Sequence, residues 1–393
     1  MNAESAPSPS PAHEPRTSRS RRPGSAARVR LDVDRIGEAT RRLDQTLNQR
    51  IIGQDGALEV ISGAFSRVLA NLRDPRRPAL SLLLLGPTGV GKTETARAIA
   101  DALFGDEGAL TRVNCEEFAQ GHEVSKLMGS PPGYVGYGAE PILSQRKIDE
   151  GHRQALAEQR GMIGEGLGRL GELFPADEDR CLSIVLFDEI EKASPTLWNG
   201  LLGILDGGQM TLGDGQLTDF TRSIVVMTSN VGSREIAQLF DRTAIGFTTE
   251  QGEAPDLDVE SAARVAAREL FPLEFLSRID EQLVYRALGE FELGAIFDKF
   301  LAELHDRAAR QAGFPLKLVV SDEAKGAIVR LGSSLRFGAR PLRRAIDTRL
   351  VAPLSRLMAA GQISPGDRVF VERRDHEFVF YREPDTSERS IVA

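Results

Sequence analysis

The sequence predicts an α/β protein in which a parallel sheet with helices on both faces is followed by a small α+β domain. Two observations support this fold class. Between about residues 80 and 230, short apolar runs alternate with helical patterns, which is typical of a parallel sheet. After about residue 285 the pattern becomes helical and then closes with DRVFV and EFVFY, two runs typical of strands.

The chain begins with a segment of different composition. Residues 1–30 contain five prolines, six serines and six arginines, with almost no bulky hydrophobic residues. Such a segment cannot bury enough apolar surface to offset the entropy of ordering it, so we expect a disordered tail. Order is expected from Leu31, where LDVDRIGEATRRLDQTLNQ has helical periodicity. The predicted organisation is a large domain over 31–285, a small domain over 286–381 and a second disordered tail over 382–393.

Composition and charge exclude several classes of protein. The net charge is −8, and it is more negative beyond the arginine-rich tail, whereas nucleic-acid binders usually present a basic face. The two cysteines form no disulfide framework, which fits a reducing compartment. No apolar run is long enough to span a bilayer, and no secretory signal is visible. We therefore expect a cytoplasmic protein that binds neither nucleic acid nor a membrane.

A phosphate-binding loop is predicted at GPTGVGKT, between the apolar run SLLLL and a helical pattern. In this context backbone N–H groups and the helix N-terminus bind phosphate oxygens. Lys92 is expected to reach the β- and γ-phosphates, and Thr93 to help hold Mg²⁺. The residues predicted to bind the nucleotide here are Gly86, Pro87, Thr88, Gly89, Val90, Gly91, Lys92 and Thr93.

Polar residues follow two further apolar runs. SIVLFDEIEK places Asp188 and Glu189 at the end of a predicted strand, where ligands bind in parallel sheets. We expect Asp188 to hold Mg²⁺ through its water shell and Glu189 to activate the attacking water. SIVVMTSN ends in Asn230, which could position that water. Without the other two motifs, the preferred interpretation of Asn230 would be an ordinary turn-forming residue. The expected cofactors are ATP and Mg²⁺.

Several separated strings, in this order, resemble the Clp family of AAA+ protein unfoldases, above all the second ATPase module of its double-ring members ClpA, ClpB and ClpC. The resemblance runs from about Leu31 to Tyr381. It implies an AAA+ P-loop NTPase large domain followed by a Clp-type C-terminal small lid domain. The strings are IIGQ, GPTGVGKT, GSPPGYVGYG, VLFDEIEK, MTSN, EFLSRID and FGARPLRR.

The resemblance also implies roles that the residues alone leave vague. Arg278 matches the arginine finger, which reaches the γ-phosphate bound by a neighbouring subunit, and a permanently charged guanidinium suits that task. Arg340 matches the sensor arginine that contacts nucleotide within the same chain. The backbone near Ile51 and Ile52 matches the part that lines the adenine pocket. A finger acting between subunits implies a homo-oligomeric ring, by analogy a hexamer.

GSPPGYVGYG matches the family's axial channel loop. The resemblance implies that Tyr134 grips a polypeptide threading through the ring, with Val135 and Tyr137 beside it. Aromatic rings suit this task because they give large apolar contact with any side chain. GGQMTLGDGQ, residues 207–216, occupies the position of the lower channel loop. The expected substrates are therefore proteins.

Two segments leave alternatives open. Residues 139–180 are longer than the family's connection at this place, and form either a solvated excursion or an element that recruits substrates. Ile245, Gly246 and Phe247 match a tripeptide with which related unfoldases dock a ClpP-like peptidase, or they anchor a loop to the local core. The sequence has no serine–histidine constellation or HExxH string of its own.

The function expected from these features is an ATP-dependent protein unfoldase or remodelling chaperone, acting with or without a separate peptidase. Substrates would be chosen by the tail, an adaptor or the channel. The alternative is an AAA+ switch or scaffold that assembles on ATP without threading anything. A nucleic-acid motor is disfavoured by the acidic charge and by the aromatic channel loop.

Overall fold

The fold is described from a computed structural model. It covers residues 31–32, 35–130, 133, 138–165, 181–233, 236, 256–310, 315–334 and 338–383. The predicted tails at 1–30 and 382–393 lie outside this range, apart from the last two residues of a strand that ends at Glu383.

Ten strands and fourteen α-helices occur in the described part of the chain. The strands are β1 (Leu80–Leu85), β2 (Thr111–Asn114), β3 (Ser183–Asp188), β4 (Gln209–Thr211), β5 (Leu217–Asp219), β6 (Ser223–Ser229), β7 (Glu281–Val284), β8 (Lys317–Val320), β9 (Arg368–Arg374) and β10 (Glu377–Glu383). The helices of the first two-thirds are α1 (Glu38–Arg50), α2 (Asp55–Ala70), α3 (Lys92–Phe104), α4 (Ser125–Met128), α5 (Gln145–Ile148), α6 (Glu150–Ala157), α7 (Gly161–Gly164) and α8 (Pro195–Gly207). The remaining helices are α9 (Asp256–Leu270), α10 (Leu273–Leu276), α11 (Glu290–Arg310), α12 (Asp322–Gly332), α13 (Arg340–Ile346) and α14 (Ala352–Ala359).

The large sheet has the order β2-β3-β6-β1-β7, and all its neighbouring strands are parallel. This confirms the parallel sheet that the alternating pattern predicts. β1 lies between β6 and β7, with Leu85 opposite Ser229 and Val284. The ends of β1, β3 and β6 therefore meet at one edge, which brings together the three sequence motifs that contain or follow these ends.

Alternate residues of the sheet face two separate cores. Leu82 and Leu84 pack in one cluster with α2 and α3, while Leu83 and Leu85 pack in the other with α8 and α10. Both faces are covered because helices contribute apolar side chains to each cluster. The first helix begins at Glu38, not at Leu31 as its periodicity suggested.

The small domain contains one strand more than the sequence predicted. β9 and β10 are the expected antiparallel pair, but β8 adds a parallel neighbour to β9. α11 to α14 pack with this sheet, and a π-helical turn at Asp347–Val351 joins α13 to α14. The result is the predicted α+β lid domain. The predicted boundary at residue 285 falls in the connection between β7 and α11.

The first half of the long 139–180 segment belongs to the core. α5, α6 and α7 lie against α3 and β3, and the side chains of Ile148, Ala155 and Met162 are buried. His152 is fully buried, and Leu182 N donates to its Nδ1 over 2.8 Å. Burial lowers the pKa of His152 to about 4, so the imidazole is neutral. Neither hypothesis for this segment anticipated a core role; residues 166–180 lie outside the described range.

Candidate nucleotide-binding site

Three glycines give the loop after β1 its shape. Gly86, Gly89 and Gly91 have φ of 133°, 76° and 109°, a region that favours glycine. At Gly86 a Cβ atom would lie 2.5 Å from the carbonyl oxygen of Tyr285, so no larger residue fits. The Tyr285 hydroxyl is fully buried and lies 2.8 Å from Thr95 Oγ1, which also donates to Gly91 O. The loop is therefore supported from β7.

Lys92 lies within this loop. Its Nζ donates to Gly86 O over 2.7 Å, to Pro87 O over 2.6 Å and to Asn230 Oδ1 over 3.1 Å. The side chain is only 6% exposed, and burial lowers its pKa to about 8 although nearby acids, led by Glu191, oppose the shift. An ammonium group held this way is positioned to meet a phosphate at the loop.

Asp188 accepts hydrogen bonds at both carboxylate oxygens. Thr93 and Thr228 donate to Oδ1 over 3.0 Å and 2.5 Å, and Arg112 donates to Oδ2 over 2.6 Å. Burial alone would raise the pKa of Asp188, but these hydrogen bonds outweigh it and lower the pKa. The carboxylate and the Thr93 hydroxyl are hard oxygen donors, which fit a Mg²⁺ ion that also binds substrate phosphates.

Glu189 and Asn230 are in direct contact beside Lys92. Asn230 Nδ2 donates to Glu189 Oε1 over 3.1 Å, and Lys192 pairs with Glu189 Oε2 at 2.6 Å. Glu189 has φ of 59°, uncommon for a residue with a side chain, and its N–H donates to Thr228 Oγ1. The amide of Asn230 therefore bridges Lys92 and Glu189. Of the expected site residues, the structure brings these three together.

The small domain contacts the loop through backbone atoms. Ala339 N donates to Gly89 O over 3.0 Å. Gly338 has φ of 53°, and a Cβ on it would lie 2.5 Å from Gly89 O. Arg340 begins α13 immediately beyond this contact, with an exposed side chain whose charge, after burial, also lowers the pKa of Lys92. The predicted sensor arginine is thus near the predicted phosphate site of its own chain.

Ile51 and Ile52 lie on the connection between α1 and α2. Ile51 is 3% exposed and its Cγ2 would lie 3.5 Å from a Cβ on Gly91, whereas Ile52 is half-buried. The neighbouring Gln54 is buried as well: its Nε2 donates to Arg286 O, and its Oε1 accepts from Arg286 N. The IIGQ string therefore lies beside the P-loop, where an adenine pocket would be expected.

Comparison with known proteins identifies the family. The family model described as an AAA domain of the Cdc48 subfamily matches residues 77–152 and 154–282, and the model described as the C-terminal, D2-small domain of ClpB protein matches residues 288–371. The chain belongs to the Clp family of AAA+ ATPases. It resembles the second of the two ATPase modules in the double-ring members of that family, as the sequence strings suggested.

Two relatives show how much of a Clp protein the chain represents. The ATP-dependent Clp protease ATP-binding subunit ClpC of Staphylococcus aureus (strain USA300) is 38% identical over 349 residues, which are 88% of this chain and 38% of the relative. The chaperone protein ClpB of Enterococcus faecalis (strain ATCC 700802 / V583) is 37% identical over 347 residues, which are 88% of this chain and 35% of the relative. The chain thus spans well under half the length of either relative.

In this Clp-family chain, Arg278 lies away from its own P-loop. It pairs with Asp206 and, at 3.0 Å, with Glu274. Two residues later, Asp280 Oδ2 accepts from Ser81 N at the beginning of β1. The P-loop follows the other end of β1, about 16 Å further along at 3.3 Å per residue. Arg278 therefore lies at the edge of the sheet where the parallel strands begin, and the nucleotide site lies at the edge where they end.

The predicted channel residues Tyr134, Val135 and Tyr137 lie outside the described residues, as do Ile245, Gly246 and Phe247. The bases of the channel loop are described. Leu143 N donates to Leu127 O over 3.2 Å, which closes the loop across its ends. The segment matched to the lower channel loop forms the β4–β5 hairpin, and Gly213 at its tip donates to Met128 O over 2.6 Å. The tip of this hairpin is therefore joined to the base of the predicted channel loop.

Three residues of this Clp-family site were missed by sequence reasoning. Arg112 pairs with Asp188; Glu191 accepts from Asn230 N and has its other carboxylate oxygen buried; Gly338 contacts the P-loop. Glu191 and Gly338 lie inside strings that were recognised, VLFDEIEK and FGARPLRR, so a signal existed for them. Arg112 had none beyond its place on the strand next to β3.

Proposed function

We propose that this chain binds ATP with Mg²⁺ and uses hydrolysis to unfold or remodel proteins, which it threads through the axial channel of a ring. The observation that carries the ATPase part is that two hydrogen-bonded groups meet at one sheet edge: Asn230 bonds both Lys92 and Glu189, and Thr93 bonds Asp188. Membership of the AAA+ ATPases supports the same reading.

Each residue of the site has a role that its contacts suit. Lys92 and the P-loop N–H groups would bind the β- and γ-phosphates, while Thr93 and Asp188 would hold Mg²⁺, which neutralises phosphate charge when bound. Glu189 is proposed as the base that accepts a proton from the attacking water. Asn230 orients Glu189 through the hydrogen bond between its amide and that carboxylate.

We further propose that the active species is a homo-oligomeric ring, by family analogy a hexamer. Arg278 cannot reach the P-loop of its own chain because the length of β1 separates them. Its guanidinium lies at an edge where it could meet the nucleotide of a neighbour once its pairs with Asp206 and Glu274 open. Arg340 is proposed to act within its own chain, since it begins the helix that contacts the P-loop.

The threading part of the proposal rests on the channel loop. Two tyrosines and a valine stand between loop ends that are held by backbone hydrogen bonds, so a shift of the domain would be transmitted to the loop. Aromatic side chains bind polypeptides of any sequence. The two relatives, a protease ATP-binding subunit and a chaperone, correspond to the two outcomes that we consider: degradation by a ClpP-like peptidase and remodelling without one.

The test is Tyr134→Ala. We expect ATP hydrolysis to persist, because none of the proposed nucleotide-site residues comes from this loop. Unfolding of a fluorescent protein carrying an unstructured tail should slow ~10-fold, because a major apolar contact is lost. Tyr381→Ala is the matched control, since it removes a partly exposed tyrosine from β10. If Tyr134→Ala unfolds the substrate at the normal rate, threading is wrong and the switch or scaffold hypothesis is preferred.

The peptidase partner and the cytoplasmic location remain proposals. Co-sedimentation of the ring with a ClpP-like peptidase tests the docking role of Ile245, Gly246 and Phe247, and its absence favours remodelling.

None of the described helices is both long enough and apolar enough to cross a membrane.

A further inference from the structure

Arg112 forms an ion pair with the predicted magnesium ligand. Its terminal nitrogen lies 2.6 Å from Asp188 Oδ2, while Thr93 and Thr228 occupy Oδ1. We infer that Arg112 is the counter-ion of Asp188 in the nucleotide-free protein and that Mg²⁺ bound with nucleotide displaces it. Arg112 would then set the Mg²⁺ dependence of nucleotide binding. This inference rests on the proposed ATPase function.

Strand register explains why Arg112 reaches this carboxylate. β2 and β3 are parallel, with Arg112 opposite Leu186 and Asn114 opposite Asp188. Arg112 and Asp188 therefore lie on the same face of the sheet, two positions apart along neighbouring strands. Diagonal neighbours of this kind are about 7–8 Å apart at their backbones, which a long side chain can bridge. The register of the two strands thus brings these side chains within reach of each other.

The two partners differ in exposure. The side chain of Asp188 is 9% exposed and that of Arg112 is 50% exposed. A buried carboxylate requires a charge partner or hydrogen bonds in the nucleotide-free protein, and Arg112 supplies the positive charge. β2 is the edge strand of the described sheet, so the guanidinium can withdraw into solvent without disturbing the core.

Both cations would be attracted to the same carboxylate. A Mg²⁺ ion beside Asp188 would carry two positive charges, and a guanidinium within a few ångströms of it is repelled in the poorly screened site. Replacing Arg112 by a neutral residue removes the competitor. The affinity of nucleotide in the presence of Mg²⁺ should then improve relative to its affinity without the ion.

The test measures the binding of a fluorescent ADP analogue by the full chain, first with saturating Mg²⁺ and then in EDTA. The ratio of the two dissociation constants reports the coupling between ion and nucleotide, independently of catalysis. For Arg112→Gln we expect the dissociation constant in EDTA, divided by that with Mg²⁺, to be about threefold larger than in the wild type. This is the effect expected for an ion pair with one exposed partner. We also expect half-saturation at a lower Mg²⁺ concentration.

Two further variants make the result specific. Arg97→Gln removes another half-exposed arginine, on α3, which pairs with Glu94 and has no contact with Asp188; its ratio should equal that of the wild type. Arg112→Lys keeps a charge and should give a ratio between those of the wild type and Arg112→Gln, and it replaces Arg112→Gln if that variant fails to fold.

The outcomes separate the inference from the proposed function. If the wild type binds nucleotide and Arg112→Gln leaves the ratio unchanged or shifts it against Mg²⁺, the inference is wrong and the proposed site stands. If the wild type binds no nucleotide under either condition, the proposed site itself is wrong and the inference falls with it.

Discussion

Glu189 is held by two neighbours whose side chains differ in kind. Asn230 donates an amide hydrogen bond to one carboxylate oxygen, and Lys192 forms an ion pair with the other. Replacing Glu189 by Gln keeps the shape and the ability to accept from Asn230, but removes the basic oxygen that would take the proton of water.

We therefore expect Glu189→Gln to bind ATP with nearly unchanged affinity and to hydrolyse it ~100-fold more slowly or worse, the usual contribution of general base catalysis. Equilibrium binding and steady-state phosphate release measure the two quantities. Glu117→Gln is a suitable control, because Glu117 is an exposed acid that accepts a hydrogen bond from Asn114. Normal turnover by Glu189→Gln would identify another residue as the base.

Single residues also show what sequence can and cannot predict. The positions of Lys92, Thr93 and Asp188 were predictable because two short motifs place the first two at the start of α3 and the third at the end of β3. Arg112 was not, because its contact with Asp188 depends on the register between β2 and β3. A sequence without a structure does not specify which residues of neighbouring strands face each other.

The contact between the small domain and the P-loop leaves no space for a side chain. The Gly338 Cα lies over the backbone of Thr88 and Gly89, and a Cβ there would approach Gly89 O to 2.5 Å. For Gly338→Ala we expect weaker nucleotide binding and lower ATP hydrolysis, because the lid must move away from the loop that holds the phosphates.

Gly361→Ala provides the matched control for Gly338→Ala. Gly361 has a similar φ of 67°, but a Cβ on it would meet no atom within 4 Å. Both variants carry the backbone strain of a positive φ, roughly 1 kcal/mol, whereas only Gly338→Ala adds the collision. Thermal unfolding and nucleotide affinity, measured side by side, separate the two effects. Equal nucleotide affinity in the two variants would show that the lid contact does not affect the site.

Elements were predicted best where their pattern is local. The helix α3 and the strands β1, β3 and β6 have long apolar or periodic runs, and all were found. β8 was missed because KLVV is short and its strand character depends on pairing with β9, nearly fifty residues later. The burial of α6 against α3 was not predicted, since only the folded chain shows which polar helix covers a core.

Arg278 is the residue on which the proposed ring depends. Since it lies at the sheet edge opposite its own nucleotide site, we expect Arg278→Ala to bind ATP normally but to lose hydrolysis. Mixing Arg278→Ala with Glu189→Gln subunits should restore part of the activity, because some interfaces then pair an intact Glu189 with an intact Arg278.

The mixing experiment uses subunit exchange followed by ATP hydrolysis, with exchange verified by fluorescence transfer between labelled subunits. Arg77→Ala is a useful comparison variant. Arg77 donates to the Arg278 carbonyl and pairs with Asp280, but it has neither of the two proposed catalytic roles. If labelled subunits exchange and hydrolysis does not return, Arg278 does not act between subunits.

The separation of the two sheet edges also gives each subunit a direction. One edge offers phosphate-binding groups and the other offers Arg278, so in the proposed ring each subunit completes the site of one neighbour and has its own site completed by the other. Head-to-tail contacts of this kind continue until the row of subunits closes on itself. In an open row, the terminal site would always lack its arginine. Closure alone would make every site equivalent, which couples full activity to the completion of the assembly.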